Sequence, residues 1–132
     1  MIINIINKVN VATEKQLGES LLLKIFNLLN ASHFNGELTD CRIKWSDRIG
    51  VGKHSNRLFD FTVFEDKQFQ PVIRLSKNLL KASPSDKIAQ SLFHSMVHIW
   101  LWQNKLPWGH TLKFQEKTKI FDFSLIEAQL QN

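Results

Sequence analysis

Residues 83–110, "SPSDKIAQSLFHSMVHIWLWQNKLPWGH", place the tightest constraint on what this chain can fold into. The apolar positions recur at helical spacing, and the start of the helix is well marked. Ser83 is placed to cap, Pro84 suits the first helical position, and Asp86 puts a carboxylate where the helix dipole favours one. Pro107 and Gly109 end the pattern. Within it His94 and His98 stand four residues apart, so their imidazoles leave one face about 40° apart around the helix axis and can reach one ion. His110 follows the turn in "LPWGH" and is placed to come back as a third ligand.

Two histidines at this spacing with a third after a turn match the needs of a zinc hydrolase site, in which three protein ligands leave a fourth position open. In such sites a glutamate next to the first histidine takes a proton from the attacking water and passes it to the leaving amine. Here that position is Ser95, whose hydroxyl is no base at neutral pH. Glu116 is the other carboxylate close to the triplet, and its spacing from His110 gives no reason to make it a substitute. The residues alone leave a plainer reading open, in which the histidines are hydrogen-bonded side chains of a core helix and hold no metal.

The rest of the chain supplies an α+β frame. Thr13 and Gln16 resemble a capping box ahead of a helix over about 14–31, with Leu17, Leu21, Leu22, Ile25, Leu28 and Leu29 on its apolar face. "FNGEL" (34–38) reads as a turn. "CRIKWSDR", "LFDFTVF" and "VIRLS" then alternate with a period of two, giving three strands of a small antiparallel-type sheet separated by "IGVGKHSNR" and "EDKQFQP". A final helix is expected from about Thr111 toward Phe121, with "SLIEAQLQN" continuing or fraying. No repeat or linker-like tract interrupts residues 1–132, which predicts one domain.

Charge and cysteine content bound the partners and the compartment. The formal net charge is +5, and residues 67–132 carry nine Lys/Arg against four Asp/Glu while residues 1–66 balance at eight each. A basic half around a possible site fits a polyanion such as DNA, and fits equally a solvated surface with no such role. Cys41 is the single cysteine, so neither an intrachain disulfide nor a cysteine-based zinc ribbon can form, and a reducing intracellular compartment is expected. No secretory signal is apparent and no run approaches the roughly eighteen apolar residues of a membrane span.

The order of a helix, "FNGEL", "IKWSDRIGVG", "VIRLSKNLL" and "LFHSMVHIWLWQNKLPWGHTLKF" resembles the SprT family, the Spartan-type zinc metallopeptidases. Its W-S segment falls on Trp45 and Ser46, its I-x-L-S strand on Ile73, Leu75 and Ser76, and its Gly-His followed by a phenylalanine-bearing helix on Gly109, His110 and Phe114. The resemblance covers about residues 14–122. It implies a zincin-like α+β fold, zinc on His94, His98 and His110, and cleavage of proteins bound or crosslinked to DNA, in the cytoplasm or with DNA in the nucleoid or nucleus. Arg42, Lys44, Arg48, Lys53 and Arg57 agree with a DNA partner, and Trp100, Trp102 and Trp108 are either stacking surfaces for bases or walls of the core and cleft.

The chain departs from the family in two ways. It lacks the cysteines of the C-terminal zinc ribbon that relatives commonly add, which predicts a bare protease-like domain. It also has Ser95 at the catalytic glutamate, which predicts zinc binding with hydrolysis nearly abolished, whether the serine is natural or introduced. Two alternatives stand beside that expectation: a non-catalytic zinc-containing module that binds DNA or a protein, and a metal-free α+β domain.

Overall fold

The computed structural model describes residues 14–49, 57–64 and 69–130, with side chains from residue 18 onward. Among them the chain runs α1 (Glu14–Phe34), β1 (Arg42–Ser46), β2 (Phe59–Thr62), β3 (Val72–Ser76), α2 (Lys77–Leu80), α3 (Ser85–Gln103), α4 (Leu112–Thr118) and α5 (Ser124–Leu130). This is the expected α+β architecture with a small sheet ahead of the histidine helix. The tail after Phe121 continues as α5, whose Ile126 is buried against the rest.

On α1, Leu22, Ile25 and Leu29 are fully buried, as their spacing predicts, and Phe26 joins them. Leu21 is exposed and Leu28 half-buried, so the buried face is narrower than the run of leucines suggests. The capping box at Thr13 and Gln16 and the side chain of Leu17 lie outside the described residues. The helix ends where Asn35 and Gly36 take positive φ of 56° and 74°, a conformation glycine enters at no steric cost. Asn30 clamps the turn, its Oδ1 accepting from the Leu38 N–H at 3.0 Å and its Nδ2 donating to the Leu38 carbonyl at 3.4 Å.

The three strands form where alternation predicts them, but the sheet is mixed rather than wholly antiparallel. Its order is β1-β3-β2, with β1 and β3 parallel and β2 and β3 antiparallel. Sequence alternation gives each strand its two faces and says nothing about its neighbour. The central place goes to β3, where Ile73, Leu75 and Ser76 are buried and both ladders are filled, while β1 and β2 become edges. Register puts Trp45, Leu75 and Phe59 in one row and Ile43, Ile73 and Phe61 in the next, both facing the helices. The opposite face carries the row Lys44, Arg74 and Asp60, in which Arg74 Nε donates to Asp60 Oδ1 at 2.6 Å and Arg74 Nη2 to Thr62 Oγ1 at 2.8 Å.

The serines of the two short motifs act locally. Ser46 Oγ accepts from the Arg48 N–H at 3.2 Å and turns the chain after β1. Ser76 Oγ caps α2 by accepting from the Leu79 N–H at 3.1 Å and donates to the Ile49 carbonyl at 2.9 Å, tying the β1 exit to β3.

The histidine helix α3 starts at Ser85, and Pro84 is its cap residue. Ser83, expected to cap, instead donates its hydroxyl to the Leu79 carbonyl at 3.1 Å, while the Pro84 carbonyl accepts from the Lys87 and Ile88 N–H groups. The other end stops at Gln103, four residues before Pro107. Lys105 adopts φ 61° and donates to the Trp102 carbonyl at 3.1 Å, and the Leu106 N–H reaches the Leu101 carbonyl at 3.0 Å. That pair of bonds is a Schellman closure built on a lysine instead of the usual glycine.

A buried histidine that sequence analysis did not single out joins α1 to the C-terminal helices. His33 Nε2 accepts from the Asp122 N–H at 3.1 Å, Ser32 Oγ lies 2.6 Å from Nδ1, and the ring sits against Phe93 and Phe121. Because Nε2 accepts, the folded protein holds this imidazole neutral. Its pKa is lowered first by burial and then by Lys117, with Asp122 opposing. The stabilisation is therefore complete above the unfolded value of roughly 6.5 and is lost as pH falls through the folded one. Thermal melts between about pH 7 and pH 5 should show a steeper fall in Tm for the wild type than for His33→Gln; equal slopes would remove His33 from this role.

Candidate metal centre

The three histidines predicted from spacing converge. His94 and His98 leave one face of α3, and His110, delivered by the α3–α4 connection, puts its Nε2 3.3 Å from Nε2 of His94. Ring centroids lie 5.0 Å apart for His94 and His98, 5.3 Å for His94 and His110, and 5.0 Å for His98 and His110. One ligand atom from each falls within 4.8 Å of the others. Two nitrogens bound tetrahedrally to zinc at about 2.0–2.1 Å would stand about 3.4 Å apart, which is the spacing of the His94 and His110 pair.

Protonation also fits. His94 is pushed down to about 4, by burial first and then by His98 and His110. His98, 6% exposed, is lowered by burial, with its bond to the Trp108 carbonyl opposing. Both rings are therefore neutral near pH 7, with a lone pair to offer. His98 Nδ1 lies 2.6 Å from the Trp108 carbonyl, which fixes the proton on Nδ1 and leaves Nε2 for the cation. That backbone acceptor was invisible in the sequence, where "PWGH" signalled only a turn.

Aromatic rings hold the imidazoles in place. Phe114, 5% exposed on α4, lies 4.8 Å from His94, 4.4 Å from His98 and 4.6 Å from His110. Its position is set by Thr111, whose Oγ1 accepts from the Phe114 N–H at 3.3 Å and starts α4 directly after His110. From β2, Phe59 contacts His94 and Phe61 stacks on His98, each at 4.8 Å. The cleft so formed has a volume of about 570 Å³ and is lined by Arg57 to Phe61 together with the three histidines.

Ser95 is placed differently. It has no exposed surface, does not line the cleft, and its Oγ has no hydrogen-bond partner. A buried hydroxyl left unpaired costs roughly 1–3 kcal/mol, and alanine is the better helix former. Ser95→Ala should therefore leave the fold intact and stabilise it by about 1 kcal/mol, read as a higher Tm; a loss of stability would mean that the hydroxyl has a partner in solution.

Among the described residues no carboxylate stands ready in its stead. Asp60 lines the cleft but is bound to Arg74, and Glu116 is exposed on α4. Of the three tryptophans, Trp100 packs against the core beside Phe34 with Lys117 Nζ 4.9 Å from its ring, and Trp102 is half-buried. Trp108 is 45% exposed and meets Phe61 edge-on. Phe59, Phe61 and Asp60 were missed as cleft residues because alternation placed them in a strand without saying that the strand borders α3.

The pattern of the SprT-like family matches residues 22–128. The chain is also similar to the "DNA-dependent metalloprotease dvc-1" of Caenorhabditis elegans, at 30% identity over 94 residues that cover 69% of this chain and 25% of that protein. It thus spans about a quarter of the relative's length. The family match takes in the buried face of α1, the whole sheet, all three histidines and Phe114, and on that extent the chain belongs to the SprT-like family.

Proposed function

We propose that this chain is a zinc-binding SprT-like metallopeptidase domain, acting inside the cell on proteins bound or crosslinked to DNA, whose hydrolytic step is disabled at Ser95. The observation that carries this reading is a complete three-histidine site beside a buried, unpartnered serine at the position where the reaction needs a carboxylate. His94, His98 and His110 would hold the ion, and when bound it supplies Lewis-acid polarisation of a scissile carbonyl. The rest is work for side chains and backbone. The Trp108 carbonyl orients His98, Phe114 fixes all three rings, and β2, an edge strand among the described residues, lies beside the cleft with backbone groups on which an extended polypeptide can pair. With serine at position 95, no group among the described residues is placed to take the proton from the attacking water.

The match over residues 22–128 supports reading 1–132 as one domain. No described helix is long and apolar enough to cross a membrane. DNA as partner rests on the basic second half of the chain and on the DNA dependence in the name of the nematode relative.

A second reading, a non-catalytic zinc-containing module that binds DNA or protein, is favoured by the same burial of Ser95, because a position released from catalysis is free to turn into the core. The test is a side-by-side cleavage assay of wild type and Ser95→Glu on a DNA-bound protein, with zinc content measured on both. Cleavage gained only in the variant supports a disabled peptidase, and zinc bound without cleavage in either supports the module.

A further inference from the structure

The outer face of the sheet, turned away from the helices, carries more positive charge than it neutralises. Its central row runs Lys44, Arg74, Asp60, and Arg42 stands two residues before Lys44 on the same side of β1. Arg48 follows in the turn after β1, and Arg57 leads into β2. Of the described carboxylates that line the hollow beside β1 and β2, Asp60 is matched by Arg74 at 2.6 Å and Asp47 by Lys77 at 3.9 Å, while Glu19 of α1 stands near Arg42 and Lys44 at the β1 edge. Among the described residues Arg42, Lys44, Arg48 and Arg57 make no ion pair. A hollow of about 730 Å³ opens between Lys44, Arg48, Arg57 and Arg74, and Arg57 and Asp60 line both it and the histidine cleft. The basic face and the metal centre therefore meet at the start of β2.

We infer that this outer sheet face is the surface on which DNA lies, tracked through its phosphates by Arg42, Lys44, Arg48 and Arg57, so that a protein attached to the DNA is presented to the cleft at Arg57. The inference rests on DNA being the partner and adds where it binds. The cations are spread along β1, the turn after it and the segment leading into β2, which suits a chain of phosphates better than a single anion. Trp45 also lines the hollow but turns the Nε1 edge of its indole toward α1, where a Cβ on Gly18 would come within 3.2 Å, so among the described residues no ring is laid flat on this face for a base to stack on. Binding here should then be independent of sequence and steeply dependent on salt.

The test is fluorescence anisotropy with labelled single- and double-stranded oligonucleotides over a range of salt, on the full chain with zinc content recorded. Lys44→Gln with Arg48→Gln removes two of the cations; Lys113→Gln with Lys119→Gln, both exposed on or just after α4, removes the same charge elsewhere. Losing two phosphate contacts should weaken duplex binding about 10- to 100-fold at about 0.1 M salt and flatten the salt slope by roughly two. The α4 pair should bind like wild type, and both should keep their zinc. Equal weakening in the two pairs, or weakening only in the α4 pair, overturns the location and leaves DNA as the partner. No binding by the wild type at about 0.05 M salt overturns the partner as well. Arg42→Gln with Arg57→Gln repeats the measurement on the same face should the first pair fail to fold.

Discussion

His98→Ala is expected to lose the bound metal, from about one zinc per chain to near none by elemental analysis on protein purified without added metal. The effect should be large because His98 is the most constrained of the three histidines, 6% exposed, fixed through Nδ1 by the Trp108 carbonyl and stacked between the elements that carry Phe61 and Phe114. Two histidines that remain, one of them exposed, cannot close a three-ligand zinc site. Stability should follow. A ligand that binds only the folded state at about 1,000 times its Kd adds roughly 4 kcal/mol, so a chelator should lower the Tm of the wild type and leave the variant unmoved. The stacked ring is also lost, so the variant should melt somewhat below even the chelated wild type. Zinc absent from both proteins sinks the metal reading and leaves a basic α+β domain with structural histidines.

How much of this was legible beforehand depends on the range of the interaction. The spacing of His94 and His98 is a local property of a helix, so the sequence shows that both rings share a face, and it shows a serine directly after His94, where H-E-x-x-H has its glutamate. The cap position shifted by one residue at Pro84, and α3 closed on Lys105 rather than at Pro107, because an unbranched residue such as lysine can take left-handed φ when two carbonyls reward it and no motif announces that. The mixed sheet was hidden for a different reason. Ile73 and Leu75 look as strand-like as Ile43 and Phe61, and only assembly against α1 and α3 makes β3 the central strand. The Trp108 carbonyl, the rings of Phe59 and Phe61, and the pairing of Asp60 with Arg74 are likewise products of that assembly.

The reciprocal substitution, Ser95→Glu, is expected to raise cleavage of a DNA-bound protein by roughly 10²- to 10⁴-fold over the wild type, the usual worth of a positioned general base. Geometry makes the outcome informative either way. Position 95 lies about 100° around the helix from His94 and about 60° from His98, close enough for a side chain with two methylenes to bring its carboxylate to the cleft. The serine itself points into the interior, so the glutamate gains water and the cation only by leaving the course that Oγ now takes. If the space toward the cleft is still open, the variant should keep its zinc, melt within a few degrees of the wild type and cut. If that space has been filled, a carboxylate is trapped without a partner at a cost of several kcal/mol, and the Tm should drop before any activity appears. A variant that folds, holds zinc and remains inert on a substrate it binds would show that more than the base has gone, and that the three histidines now serve binding alone.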